Sequence, residues 1–229
     1  ETLAHVALVA RFGANWFRRI GTPQNPGTML LTVTRAGRPL VAEAALGSSL
    51  RAAAGVGDDD LARSRAFLLG GYGGAWVSPE VFGDLPVSEK AARRVGATLG
   101  AGVIVQLPRD ACPLAEMAEV VRYMERQGAR QCGPCVHGLA ELAEAMDRLA
   151  YVGRGGPHFE CILETCSLVE GRGACRHPDG VARFVRTGLG LFADEVASHQ
   201  RRGPCSETRA ERVLPVPDRT ARRRLVSRA

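Results

Sequence analysis

Apolar residues recur along the chain with two different periods, and the change of period divides it. From Val9 through Phe12, Trp16 and Ile20 the spacing is three, four and four, which predicts one helical stripe within residues 1–20. Pro23, Asn25, Pro26 and Gly27 break it. Alternation then takes over: Met29, Leu31 and Val33 share one face of a strand over Thr28–Thr34, and a second strand runs from Leu40 to Leu46 after an Arg-Ala-Gly-Arg turn. A Gly-Ser-Ser-Leu turn leads into a short helix near Leu50–Ala54, and Ala66–Leu69 and Val103–Val105 read as buried strands. This is the pattern of a small α+β module.

After Pro108 the period becomes helical throughout. Leu114, Met117, Val121 and Met124 form one stripe, and Leu139, Leu142, Met146 and Leu149 a second. Phe159, Ile162, Cys166 and Val169 form a third, and Val181, Val185, Leu189, Phe192 and Val196 a fourth. Four amphipathic helices with short connections predict an antiparallel four-helix bundle. The methionines are expected as core filling. The glycines at 70, 71, 73 and 74 lack the strand–turn–helix setting of a phosphate cradle, so a tight loop is expected there.

Composition narrows the function classes. No apolar stretch approaches the roughly 18 residues of a spanning helix, and no secretory signal is present, so a chain not integral to the membrane is expected. The formal charge is +6, and Lys90 is the only lysine among 30 basic residues. Nine arginines crowd residues 201–229 with few apolar anchors, which predicts a disordered basic tail. Aromatic residues and a recognition helix are missing from it, so no nucleic-acid partner is expected. Glu1 is not an initiator methionine, and the chain is expected to start inside a larger protein.

Seven cysteines without a secretory signal point to metal or redox chemistry rather than to disulfides. The densest signal is Cys132-Gly133-Pro134-Cys135, between the first two bundle helices. A thioredoxin-like site would follow a buried strand, whereas this pair follows a polar helix end. Cys175 lies in a Gly-Arg-Gly-Ala-Cys turn before the fourth helix. Two thiolates on one inter-helix loop and a third on another can converge at one end of a bundle, as iron–sulfur ligation requires. Zinc is the competitor, with Cys132, Cys135, Cys175 and either His137 or His177 as a tetrahedral set.

From Glu1 to about His199 the chain resembles the C-terminal half of the flavin-carrying, NADH-binding subunit of respiratory complex I, a family shared with NAD-linked formate dehydrogenases and hydrogenases. Glu1-Thr2-Leu3-Ala4-His5-Val6 is similar to the family's Asn-Val-Glu-Thr-Leu-Ala-Asn-Val segment. Gly21-Thr22 and Pro26-Gly27-Thr28 resemble its Ile-Gly-Thr and Pro-Gly-Thr run, and Leu46-Gly47-Ser48-Ser49-Leu50 its Leu-Gly-Thr-Thr-Leu. The resemblance implies an α+β protein in four parts. Residues 1–25 would be a helix trailing from a flavin domain and 26–108 a β-grasp soluble-ligand-binding module. Residues 109–200 would be a four-helix iron–sulfur domain, followed by the basic tail 201–229.

The family holds one [4Fe–4S] cluster with a Cys-x-x-Cys-x-x-Cys run and a fourth cysteine about 40 residues later. Cys132, Cys135 and Cys175 match the second, third and fourth members, but the first position is Ala129. The resemblance therefore leaves open a [3Fe–4S] cluster, a non-cysteine ligand, or recruitment of Cys166, which sits on the apolar stripe of its helix and equally suits core packing. Cys161 falls off that stripe, and Cys112 and Cys205 match no motif position. The implied function is electron relay from NADH through FMN to the cluster and on to other electron-transfer subunits. Thr2 would stand at the flavin edge, and the protein would be cytoplasmic or peripheral at the inner face of the membrane. The contrasting reading is a non-redox binding module with a structural zinc.

Overall fold

A computed structural model describes residues 2–35, 37–154 and 156–217. The fold is mixed α+β, and the chain divides into two compact units between Arg109 and Asp110. Among the described residues, no helix is long and apolar enough to cross a membrane.

The first unit opens with α1 (Thr2–Phe12) and α2 (Ala14–Phe17). The single helix expected up to residue 20 is broken at Gly13, whose φ of 85° suits glycine and ends the helical run. The expected stripe does not enter a core either, because α1 and α2 bury none of their residues. A five-stranded sheet follows in the order β2-β1-β5-β3-β4, made of β1 (Thr28–Arg35), β2 (Arg38–Ala45), β3 (Ser64–Leu69), β4 (Ala75–Val77) and β5 (Val103–Pro108). All pairs are antiparallel except β1 with β5.

Short helices α3 (Leu50–Ala53), α4 (Asp58–Arg63), α5 (Pro79–Asp84) and α6 (Glu89–Arg94) connect the strands. Ser49, Ser78 and Ser88 cap α3, α5 and α6 by accepting backbone N–H bonds, and each cap satisfies a donor that the helix start leaves unpaired. Leu31, Val33, Phe67, Leu69, Phe82 and Ile104 join one buried cluster, in which the Phe67 and Phe82 rings stack at 3.9 Å. The glycine run is the tight turn between β3 and β4. A Cβ on Gly74 would fall 1.7 Å from the Leu69 carbonyl oxygen, so close backbone packing explains that glycine without an anion.

The second unit contains α7 (Pro113–Gln127), α8 (Leu139–Tyr151), α9 (His158–Val169), α10 (His177–Leu191) and α11 (Ala193–Arg202). Helix α8 packs on α7 and α9, and α10 on α7 and α9. Their buried residues are those of the expected stripes: Leu114, Met117 and Val121, then Leu142, Met146 and Leu149, then Ile162, Cys166 and Val169. The stripe expected on a fourth helix belongs instead to two helices, which meet at Phe192 (φ −105°, ψ 30°). One non-helical residue there keeps Val196 in phase with Leu189, and both are buried.

The basic segment also departs from the expected disorder. Arg201 and Arg202 close α11, Ser206–Arg209 form a 3-10 turn, and Leu214 is buried. The carboxylate of Glu116 on α7 accepts the backbone N–H groups of Val213 at 3.0 Å and Leu214 at 2.9 Å, which ties residues 203–217 down. Charge count alone misses such an anchor, because Glu116 and Leu214 are 98 residues apart in the chain. The rest of the expected tail, 218–229, lies outside the described residues.

Candidate iron–sulfur site

Cys132 and Cys135 stand where α7 has ended and α8 has not begun. A π turn, Pro134–Gly138, leads into α8, and Cys135 and Val136 donate their backbone N–H groups to the Cys132 carbonyl at 3.1 and 3.0 Å. Single π turns of this kind recur at functional positions because they re-aim side chains at a helix end. The chain enters through Arg130, which has φ 55°, the one positive φ outside glycine among the described residues. An ion pair with Glu125 at the end of α7 holds Arg130 there. This conformation brings the Arg130 backbone N–H to the Cys135 sulfur.

The two thiols titrate in opposite directions. Cys132 is held below the usual thiol range, first by the backbone N–H of Ala174 and then by that of Cys135. Cys135 is buried, and burial followed by the negative charge of Cys132 pushes it up, against the N–H of Arg130. The Ala174 contact ties the second loop to the first, and the charge of Cys175 also acts on Cys135. Cys175 is exposed. Asp179, in the first turn of α10, closes its loop: one carboxylate oxygen accepts the Gly171 N–H and the other accepts Arg176, both at 2.8 Å.

The structure thus places Cys132, Cys135 and Cys175 on two neighbouring loops, joined by the Ala174 N–H that the Cys132 sulfur accepts. Cys166 is fully buried on α9, with its thiol pushed up to about 12 by desolvation, and the charges acting on it are Arg186 and Glu170. Ala129 is exposed beside Gly128, where an added Cβ would lie 3.5 Å from the Cys135 sulfur. His177 has its Nε2 engaged with the Met124 carbonyl at 3.0 Å, and His137 is exposed on the π turn. Thr2 opens α1 and is exposed. The periodicity of the sequence could not show the backbone N–H groups of Arg130 and Ala174, although both belong to the site's chemistry. Three sulfur donors with N–H groups directed at two of them fit a thiolate-ligated iron–sulfur group, since such hydrogen bonds stabilise sulfur-borne negative charge.

Comparison with known proteins identifies the segment that carries these cysteines. Residues 115–199, which include all three cysteines, match the family described as NADH-ubiquinone oxidoreductase-F iron-sulfur binding region. The chain is 28% identical over 204 residues to the NADH-quinone oxidoreductase F subunit of Rickettsia typhi, covering 86% of this chain and 48% of the relative. It is 26% identical over 211 residues to the counterpart of that protein in Mycobacterium bovis, covering 90% and 46%. The chain therefore spans about half the length of the curated relatives it matches. Among solved structures, a chain of an NAD+-reducing [NiFe]-hydrogenase in the air-oxidized state superposes with a TM-score of 0.72 at 21% identity, covering 93% of this chain and 36% of the other. The H2-reduced state gives 0.70 at 20% identity. These structures share the fold, and the resemblance drawn from the motifs to the flavin-subunit family is borne out.

Proposed function

We propose that this chain is an electron-transfer component of an NADH-oxidising, NADH:quinone oxidoreductase-like complex, with Cys132, Cys135 and Cys175 as ligands of a [4Fe–4S] or [3Fe–4S] cluster. The observation that supports the reading is the contact between the two cysteine-bearing loops, where the Ala174 N–H reaches the Cys132 sulfur and the charge of Cys175 acts on Cys135, inside the segment that matches an iron–sulfur binding region. The first unit then reads as a β-grasp module and the second as an antiparallel bundle presenting its loops at one end. When bound, such a cluster supplies one-electron transfer at a potential tuned by hydrogen bonds and exposure.

The chain's own residues have separable roles in this reading. Arg130 and Ala174 aim N–H groups at the sulfurs, and the Cys132 thiol, already lowered, is the first to deprotonate for iron. The exposure of Cys175 keeps one edge of the site near the surface, where a partner subunit could take the electron. Cys166, protonated and interior, serves as core. FMN and NADH would be the cofactors of the flavin-carrying subunit that the chain resembles, with Thr2 on the flavin side. Other electron-transfer subunits would be its partners, and its place would be the cytoplasm or the inner face of the membrane.

Anoxic reconstitution followed by iron and sulfide analysis tests the assignment. Three to four iron atoms with matching sulfide are expected per chain, as for one cubane-type site, and Cys135→Ser should lose them. Ala129→Cys should raise the count to four and slow bleaching in air, because a fourth thiolate closes an iron position. Absence of sulfide, or iron retained in Cys135→Ser, would overturn the proposal.

A further inference from the structure

A second group of metal-ligating side chains lies apart from these three cysteines. Cys112, Glu195, His199 and Cys205 each point one ligand atom into the same space, and all four atoms lie within 4.8 Å of one another. We infer that these four residues form a zinc site, closed by two thiolates, one imidazole and one carboxylate.

Three elements build the site. Cys112 is the N-cap of α7 and is buried at the start of that helix. Glu195 and His199 are one turn apart on α11, so their side chains emerge on one face. The helix ends at Gly203, whose φ of 89° turns the chain back and brings Cys205 to His199. Cys112 and His199 are fully buried, while Glu195 and Cys205 are half-buried.

The hydrogen bonds around His199 fix which ring nitrogen carries the proton. Its Nδ1 faces the Leu149 carbonyl at 3.3 Å, an acceptor, so Nδ1 donates. Its Nε2 receives the backbone N–H of Cys205 at 3.3 Å, which requires a lone pair there. This is the tautomer that a metal-bound imidazole needs, with the non-ligating nitrogen anchored to a backbone carbonyl, and zinc at Nε2 would take the lone pair that the Cys205 N–H holds. The same Nε2 lies 3.4 Å from a Glu195 oxygen and 3.8 Å from the Cys112 sulfur. Four potential ligand atoms therefore converge in a space that is buried on the Cys112 and His199 side, close enough for one cation to bridge them.

The Thr208 hydroxyl completes the surroundings. It donates to the Cys112 sulfur at 3.6 Å and lies 3.3 Å from that of Cys205, orienting both sulfurs. Two sulfurs, one nitrogen and one oxygen suit zinc, which takes four such ligands in tetrahedral geometry. With four protein ligands there is no open position for a substrate, so the role is structural. The ion would fasten residues 203–217 to the start of α7.

Zinc and iron analysis of the reduced chain and its variants tests the inference independently of the relay reading. One zinc per chain is expected in the parent and in Cys135→Ser, whereas the double variant Cys112→Ser, Cys205→Ser should lose zinc and keep its iron and sulfide. Titration of the zinc-stripped parent with cobalt(II) should saturate at one equivalent with sulfur-to-cobalt charge-transfer bands and intense tetrahedral d–d absorption. Glu195→Gln, which leaves the buried core in place, should weaken cobalt binding about tenfold or more. A parent that holds no zinc and gives no cobalt–thiolate absorption would overturn the inference. Loss of iron rather than zinc from the double variant would do the same.

Discussion

Gly138 sits three residues after Cys135, at the junction of the π turn and α8, and its missing side chain lets α9 approach. A Cβ built there would fall 2.1 Å from Cγ1 of Val169, a buried residue at the end of α9. Val169 cannot swing aside cheaply, because a β-branched side chain in a helix has one strongly preferred rotamer. Overpacking costs about 1–3 kcal/mol, and a clash this close belongs near the upper end. The gain from replacing glycine by alanine in a helix returns about 1 kcal/mol. Gly138→Ala should therefore destabilise the helical unit by about 2 kcal/mol.

Val169→Ala alone should cost a similar amount, since it removes two buried carbons at about 0.8 kcal/mol each and leaves a small cavity. Combined, the two changes relieve each other, as the methyl group added at position 138 occupies the space left by Cγ1. The coupling expected is about 2 kcal/mol in the stabilising direction, roughly 4–8 °C in Tm at this chain length. Urea or thermal unfolding followed by far-ultraviolet circular dichroism reads it, because α7 to α11 hold most of the helix. Trp16 and Trp76 both lie in the first unit, so tryptophan fluorescence serves as the internal control and should not move. Additive effects within about 0.5 kcal/mol would refute the packing argument, since sites in contact are expected to couple.

Two further outcomes follow from buried carboxylates. Asp179 is held below the usual carboxylate range by Arg176 and then by the Gly171 N–H. Its stabilising contribution is thus complete above the unfolded value near 4 and is lost as pH falls through the lower native value. Acidification should loosen the Gly171–Cys175 loop and accelerate iron loss, and Asp179→Asn, which loses the pairing at neutral pH, should flatten that dependence. Glu116→Ala should free residues 203–217 at a cost of about 2–4 kcal/mol, the scale of hydrogen bonds to a charged group. Trypsin cutting at Arg209 and Arg212 would report the release, and unchanged resistance would contradict it.

What the sequence disclosed depended on whether a signal was local. Strand β1 and helices α7 to α9 were legible because one buried face imposes a period within a dozen residues, whereas β2, which buries only Ala44, was legible from its apolar run after the turn. Helices α5 and α6 carry too few apolar residues to show one, yet Ser78-Pro79-Glu80 and Ser88 are cap signals that a search for helix starts would have found. The break at Phe192 was invisible because a one-residue interruption preserves the phase of the stripe. The same distinction governs the sites. Cys132 and Cys135 declare themselves by spacing, whereas Cys112 lies 87 residues from its nearest nitrogen partner, His199, and spacing carries no trace of that meeting. Helix packing creates it, by placing the start of α7 beside the end of α11. A cysteine that fits no motif is therefore an unresolved tertiary question, and in this chain its answer is set by the turn at Gly203.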